Sequence, residues 1–311
     1  MTTPEIINFN KLRITPVYLV FHDEEGLSKS LAFGEVLHKA IETCLHRIDE
    51  ENRNSGKNEI EFAAKTLTEQ QIGGSELLSE MRNSFPRGYS IAWEQAPIEP
   101  FTTIRLSLFG KFAKLLPYLL PRLPNIFASV GYSNIQFVSA SDALLQAIEL
   151  KRGKLSPTPE VVKLHQFSIP HNNIKHIALS LHSPVKLYKT QKHNFNMGFG
   201  DFVYHLLKRM MILQYLYCDG PLPDMKLLKE YCTGFNFAVK TVKIDLALHN
   251  QKLTKDMWLE GYTGTIHYQI LDENIKPLIP ILKAGEYVQV GSATNYGMGK
   301  YQLKHEYHRI I

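Results

Sequence analysis

Two groups of residues in this sequence are of types and spacings that could do chemistry. The first is a pair of histidines, His38 and His46, in a run where Ala32/Phe33, Val36/Leu37, Ala40/Ile41, Cys44/Leu45 and Ile48 recur at the spacing of one helical face. At 3.6 residues per turn the two rings project within about 80° of each other. Glu42 stands four residues from each, where an i,i+4 contact can orient either ring. Lys39 adds a cation beside His38. Imidazole titrates near neutrality, so such a helix can take and give protons. A solvated face rich in His, Lys and Glu is the competing reading. His22, Tyr18 and Lys29 lie close by in sequence and are further candidates.

The second group is Gly285-Glu-Tyr-Val-Gln-Val-Gly291-Ser-Ala-Thr-Asn295-Tyr-Gly297-Met-Gly299-Lys300-Tyr301. It follows an apolar run, Ile275 to Leu282, and precedes a strand-like piece, Lys300 to Leu303. Glycine permits positive φ and close backbone approach to a ligand, and successive N–H groups can form a concave nest for phosphate. Lys283 and Lys300 flank the loop with charge suited to a polyanion. A P-loop would need Gly-Lys-Ser/Thr opening a helix, and a dinucleotide fingerprint would need a strand leading in; neither context is present. A tight structural turn is the alternative.

The elements that must position these groups read as a repeated order. Lys11 to Phe21 is strand-like, with Pro16 indicating an edge or a bulge. The His38 helix follows. A polar, poorly patterned stretch from Asp49 to Gly88 reads as an insertion. Strands at Tyr89–Trp93 and Thr102–Phe109, a proline-interrupted helix at Phe112–Leu123 and a strand at Asn134–Val138 complete a β-α-β-β-α-β unit. The same order recurs beyond a proline-containing segment: a strand within Lys175–Tyr188, a helix at Asp201–Cys218, alternating strands at Phe237–Leu248 and Tyr262–Ile270, a helix, the glycine loop and a last strand. The expected fold is α+β, two tandem ferredoxin-like domains, with residues 1–152 the first, 153–173 a linker and 174–311 the second.

Composition sets outer bounds. A 311-residue chain that is 44% hydrophobic and 21% charged suits an ordered globular protein of two domains. A net charge of +5 is a mild basic bias compatible with nucleic acid. Cys44, Cys218 and Cys232 have no metal-ligand spacing and no even-numbered framework. The N-terminus shows no cleavable signal, and no apolar run is long enough for a bilayer. A reducing cytoplasm, with no membrane partner, is therefore expected.

Trp258-Leu-Glu-Gly261-Tyr262-Thr-Gly264-Thr-Ile-His-Tyr, followed after a helix by the glycine stretch ending Gly297-Met-Gly299-Lys300-Tyr301, resembles the C-terminal half of the CRISPR repeat-processing endoribonucleases of the RAMP superfamily, the Cas six proteins. Leu31-Ala-Phe-Gly34-Glu-Val-Leu-His38-Lys-Ala resembles that family's first helix. The resemblance implies tandem ferredoxin-like domains and metal-independent cleavage of repeat RNA with no cofactor. The RNA's own 2′-hydroxyl attacks, leaving 5′-hydroxyl and 2′,3′-cyclic phosphate ends. It implies a cleft-facing histidine on or just after the first helix, which puts His38 ahead of His46, with a tyrosine or lysine assisting from among Tyr18, Lys29 and Lys39. It further implies RNA contact at Lys283, Gly291, Asn295, Gly297, Gly299 and Lys300. A second track could run through Lys192 and Arg209, around the Gly198-Phe-Gly200 helix start, unless those glycines only cap the helix. Implied partners are repeat RNA, other Cas proteins and a second copy of the chain. A RAMP-type subunit that binds RNA without cutting it, and an unrelated tandem ferredoxin-like enzyme or sensor, are the alternative readings.

Overall fold

The computed structural model describes residues 8–24, 31–55, 86–94, 99–129, 132, 134–151, 154–167, 174–187, 198–252 and 258–307. Lys29, Lys192 and most of the expected insertion lie outside them. The chain divides into two compact units, Thr15–Glu160, and Met1–Ile14 with Val161–Ile311.

The first unit runs β1 (Ile14–His22), α1 (Leu31–Ser55), β2 (Tyr89–Glu94), β3 (Phe101–Phe109), a 3-10 turn (Gly110–Leu115), α2 (Leu116–Leu119), α3 (Leu123–Ser129) and β4 (Gln136–Ser141). A short hairpin, β5 (Glu149–Lys151) and β6 (Lys154–Ser156), follows. Its four-stranded sheet has the order β2-β3-β1-β4, so the first and third strands are central, as in a ferredoxin-like unit. Pro16 therefore sits in an interior strand and not at an edge. The β4 ladder begins only at Tyr18, and an irregularity follows at Val20/Phe21, so the missing proline N–H falls outside that ladder. The expected single helix after β3 is instead a 3-10 turn and two short helices. Pro117 lies in the first turn of α2 and Pro124 in the first turn of α3, where a missing N–H costs nothing, and Pro121 lies in the break between them.

Helix α1 is held by its apolar stripe. Phe33, Val36, Leu37, Ala40, Ile41, Cys44, Leu45 and Ile48 are all buried. Phe33 meets Phe21 of β1 edge-on at 5.5 Å and stacks on Phe127 of α3 at 5.8 Å. Truncating one such ring to alanine costs about 3–5 kcal/mol, so the stripe fixes which residues of α1 face outward.

The second unit repeats the order: β7 (Ile174–Val185), α4 (Phe199–Tyr217), α5 (Met225–Ala238), β8 (Val239–Lys252), β9 (Trp258–Ile270), α6 (Leu278–Val288) and β10 (Tyr301–Tyr307). The sheet order is β10-β7-β9-β8, again with first and third strands central. Helix α5 was not anticipated. Asp224 caps it by accepting from Leu227 N at 3.0 Å, and Phe237, read as a strand start, lies on its last turn. Residues 8–14 belong to this unit. The buried amide of Gln214 accepts from Lys11 N and Leu12 N at 3.2 and 2.9 Å and donates to Asn8 O at 2.9 Å. Tyr301, which ends the glycine stretch, is 1% exposed and donates to Leu282 O at 2.6 Å. A Cβ on Gly285 would stand 2.1 Å from that hydroxyl, which is why glycine faces it.

Candidate active site

The structure brings His38 together with partners from β2. Its Nδ1 lies 2.5 Å from the hydroxyl of Tyr89, the first residue of β2, and that hydroxyl donates to Glu42 Oε1 at 3.0 Å. Nδ1 itself is 4.0 Å from Glu42 Oε1. A phenol has one proton and a carboxylate only accepts, so Tyr89 donates to Glu42 and His38 Nδ1–H donates to the phenol oxygen. That fixes the neutral ring as the Nδ1–H tautomer, with Nε2 as its basic nitrogen. Arg87 Nη2 stands 3.7 Å from Glu42 Oε2 and its side chain is 41% exposed. A guanidinium so placed can meet negative charge at the edge of the cluster.

Burial is the main cause holding His38 below its ordinary pKa; Glu42 pushes back upward and Arg87 adds to the lowering. The ring is thus neutral at pH 7 and suited to accept a proton more than to give one. Local sequence explains the geometry. Leu37 and Ile41 lock α1 onto the sheet, which leaves His38 and Glu42 one turn apart beside the stripe. Phe112 closes over Tyr89 with ring centroids 5.7 Å apart, and a Cβ on Gly88 would stand 2.3 Å from that Phe112 ring.

The other expected catalytic residues are not gathered here. His46 is exposed two turns along α1. Lys39 pairs with Glu35 at 2.6 Å. His22 packs against Phe101 on β3. Tyr18 is half-buried on β1. Tyr89 and Arg87 were missed by sequence reading. Only the aromatic at the mouth of a strand, after Pro86-Arg87-Gly88, could have signalled them.

In the second unit the glycine loop is folded onto itself and onto the end of β7. Val290 N donates to Gly299 O at 3.0 Å, Gly299 N to Pro184 O at 2.9 Å, Ser292 N to Lys186 O at 3.1 Å and Lys300 N to Ser183 Oγ at 2.8 Å. Gly291 and Gly299 both have φ of 84°, and a Cβ on them would approach Lys186 O to 2.5 Å and Val290 O to 2.1 Å. These glycines are required by the loop's own fold. Gly297, also at positive φ, is buried, while Asn295 and Lys300 are half-buried. Lys283 Nζ bonds Glu286 Oε1 and Leu303 O, each at 2.8 Å, which ties α6 to β10. Arg209 is buried on α4. Among the described residues, no three His, Cys, Asp or Glu side chains are grouped to hold a metal ion, and no helix is long and apolar enough to cross a membrane.

Residues 179–301 match the model of a family described as CRISPR-associated endoribonuclease Cas6. The match lies within the C-terminal part of the chain, over β7 to the start of β10. The fold is similar to Thermus thermophilus Cas6, at 13% identity over 94% of this chain and 99% of that one, with a TM-score of 0.52. It is also similar to a Cas6 product complex, at 14% identity over 94% and 100% with a TM-score of 0.55. A third likeness is to a Cas6-RT-Cas1–Cas2 complex, at 13% identity over 96% of this chain and 30% of that one, with a TM-score of 0.53. At these identities the likeness is one of fold, and the Cas6 structures share the α+β, tandem ferredoxin-like architecture. No curated protein matches the chain.

Proposed function

We propose that this chain processes CRISPR repeat RNA as an endoribonuclease, using the substrate's 2′-hydroxyl as nucleophile. The observation that carries the reading is the His38–Tyr89–Glu42 relay. It holds a buried, neutral imidazole in one tautomer on the helix where the family resemblance calls for a catalytic histidine. His38 Nε2 takes the proton of the 2′-hydroxyl as its oxygen attacks the adjacent phosphorus. The P–O5′ bond breaks, the 5′-oxygen gains a proton from solvent or a second acid, and a 2′,3′-cyclic phosphate remains. Arg87 supplies positive charge near the phosphorane. The steps call on the chain's own groups, the RNA and solvent, and the proposed mechanism invokes no metal or cofactor. Lys39 and His46 take supporting places at most, since Lys39 is paired with Glu35 and His46 is exposed away from the relay.

Asn295, Lys300 and the loop Gly291–Gly299 contact the repeat backbone, with the glycines acting through the loop's shape and Lys300 through its charge. Repeat RNA is the substrate. Other Cas proteins fit as partners, because a structural neighbour of this fold belongs to a Cas6-RT-Cas1–Cas2 complex. The boundary between catalytic and RNA-holding parts follows the two compact units.

The test is incubation of purified chain with end-labelled repeat RNA in excess EDTA, with analysis of the product ends. Cleavage with a 2′,3′-cyclic phosphate supports the reading. Binding without cleavage would point to the non-catalytic RAMP-type subunit, and a metal requirement would remove the 2′-hydroxyl mechanism.

A further inference from the structure

Arg209 was expected at the surface, as a cation for RNA. It is 8% exposed on α4, and its Nε donates to Val288 O at 3.0 Å. Its Nη2 is shut off from solvent and meets no acceptor among the described residues. Burial lowers its pKa to about 10, so it remains a cation at neutral pH. A buried charge with an unsatisfied arm is costly, and apolar side chains of similar volume are often the more stable choice at such sites. Packing alone does not explain an arginine here.

The bond it makes lies at a hinge between two elements. Val288 is the last residue of α6, where carbonyls lack helical partners and the helix dipole is negative. The next residue, Gln289, turns the chain at a φ of 64°, with its N–H returned to Gly285 O at 2.8 Å. Val290 N then closes onto Gly299 O, and Lys300 follows. A continuous chain of contacts thus runs from Arg209 through Val288 and Val290 to Gly299 and Lys300. We propose that Arg209 is a positioning residue. By holding the Val288 carbonyl it sets the direction in which the loop Gln289–Gly299 leaves α6, and so places Asn295 and Lys300 for the phosphates of the RNA. The inference rests on the reading of that loop as an RNA contact, but its structural half stands apart from it.

The test uses the full chain with Arg209→Met and Arg209→Lys, read by thermal melting, amide hydrogen exchange and filter binding of repeat RNA blocked by a 2′-deoxy group at the scissile nucleotide. Arg209→Met is expected to melt no lower than wild type, to exchange faster across 289–300, and to bind the RNA about tenfold more weakly, the equivalent of about 1.4 kcal/mol. Arg209→Lys keeps the charge and should recover part of both losses. Unchanged exchange across the loop in a folded Arg209→Met overturns the proposal. So does a fall in melting temperature that tracks the fall in affinity, because Arg209 would then be a strut of the core. If wild type fails to bind the RNA, the functional reading fails, while the exchange data still decide the role of Arg209.

Discussion

Replacing Tyr89 by phenylalanine removes one oxygen and leaves the ring that packs against Phe112. Two hydrogen bonds disappear with it, one to His38 Nδ1 and one to Glu42 Oε1. A neutral bond contributes about 1 kcal/mol net and one to a charged group about 1.5–3 kcal/mol. His38 Nδ1 and Glu42 Oε1 are 4.0 Å apart and can re-form part of the loss by direct contact. The expected destabilisation is therefore about 1–3 kcal/mol. The effect on cleavage has a different origin. Without the phenol the Nδ1–H tautomer loses its preferred acceptor, and about 1.4 kcal/mol of lost preference corresponds to tenfold in population. Single-turnover cleavage of labelled repeat RNA at saturating protein should slow about tenfold, and RNA affinity should hold because Tyr89 is fully buried. Nitrogen NMR of the labelled histidine reads the tautomer directly. A folded Tyr89→Phe variant that cleaves at the wild-type rate, alongside an inactive His38→Ala, would refute the orienting role of the relay.

Burial lowers His38, Glu42 raises it and Arg87 lowers it further, so the acid limb of the cleavage rate should have its midpoint below 6.5, move down in Glu42→Gln and move up in Arg87→Ala; a limb that stays put in both variants would assign it to another group. Gly299→Ala forces a side chain into positive φ and against Val290 O, costing about 2 kcal/mol or more, so it should lower the denaturation midpoint as well as RNA affinity, whereas lost affinity at unchanged stability would make the glycine a direct contact. His205 has its pKa lowered to about 4 by burial. Its folded-state value lies below the unfolded one, so the associated stability is complete above pH 6.5 and is lost as pH falls toward 4. The loss is on the order of 2–3 kcal/mol, read by urea denaturation at pH 7 and pH 4.5, and it should shrink in His205→Phe.

Much of this arrangement is written in local patterns. The eight-residue apolar stripe of α1 is buried as its spacing requires, and the order of strands and helices gives both sheets their interior first and third strands. The glycine loop is where its composition puts it. What stayed hidden depends on partners far away in sequence. His38 and Tyr89 are 51 residues apart, and nothing in the periodicity of α1 says which strand mouth will face it. Lys283 and Arg209 look like surface cations because lysine and arginine usually are. Arg209 is buried and Lys283 half-buried, and Val288 O and Leu303 O, carbonyls of other elements, accept from them. Helix α5 escaped notice because Thr233-Gly234 interrupts a stripe formed by Met225, Leu228, Cys232 and Phe235.

The claim at the centre is that His38 Nε2 accepts the proton of the attacking 2′-hydroxyl. Single-turnover cleavage of end-labelled repeat RNA in EDTA, by wild type, His38→Ala and His46→Ala at equal saturation, measures it most directly. His38→Ala should be slower by about 10²–10⁴-fold, the scale of a lost general base, with RNA affinity unchanged, and His46→Ala should stay close to wild type. A His38→Ala variant that cleaves at the wild-type rate, or an inactive His46→Ala beside an active His38→Ala, would contradict it.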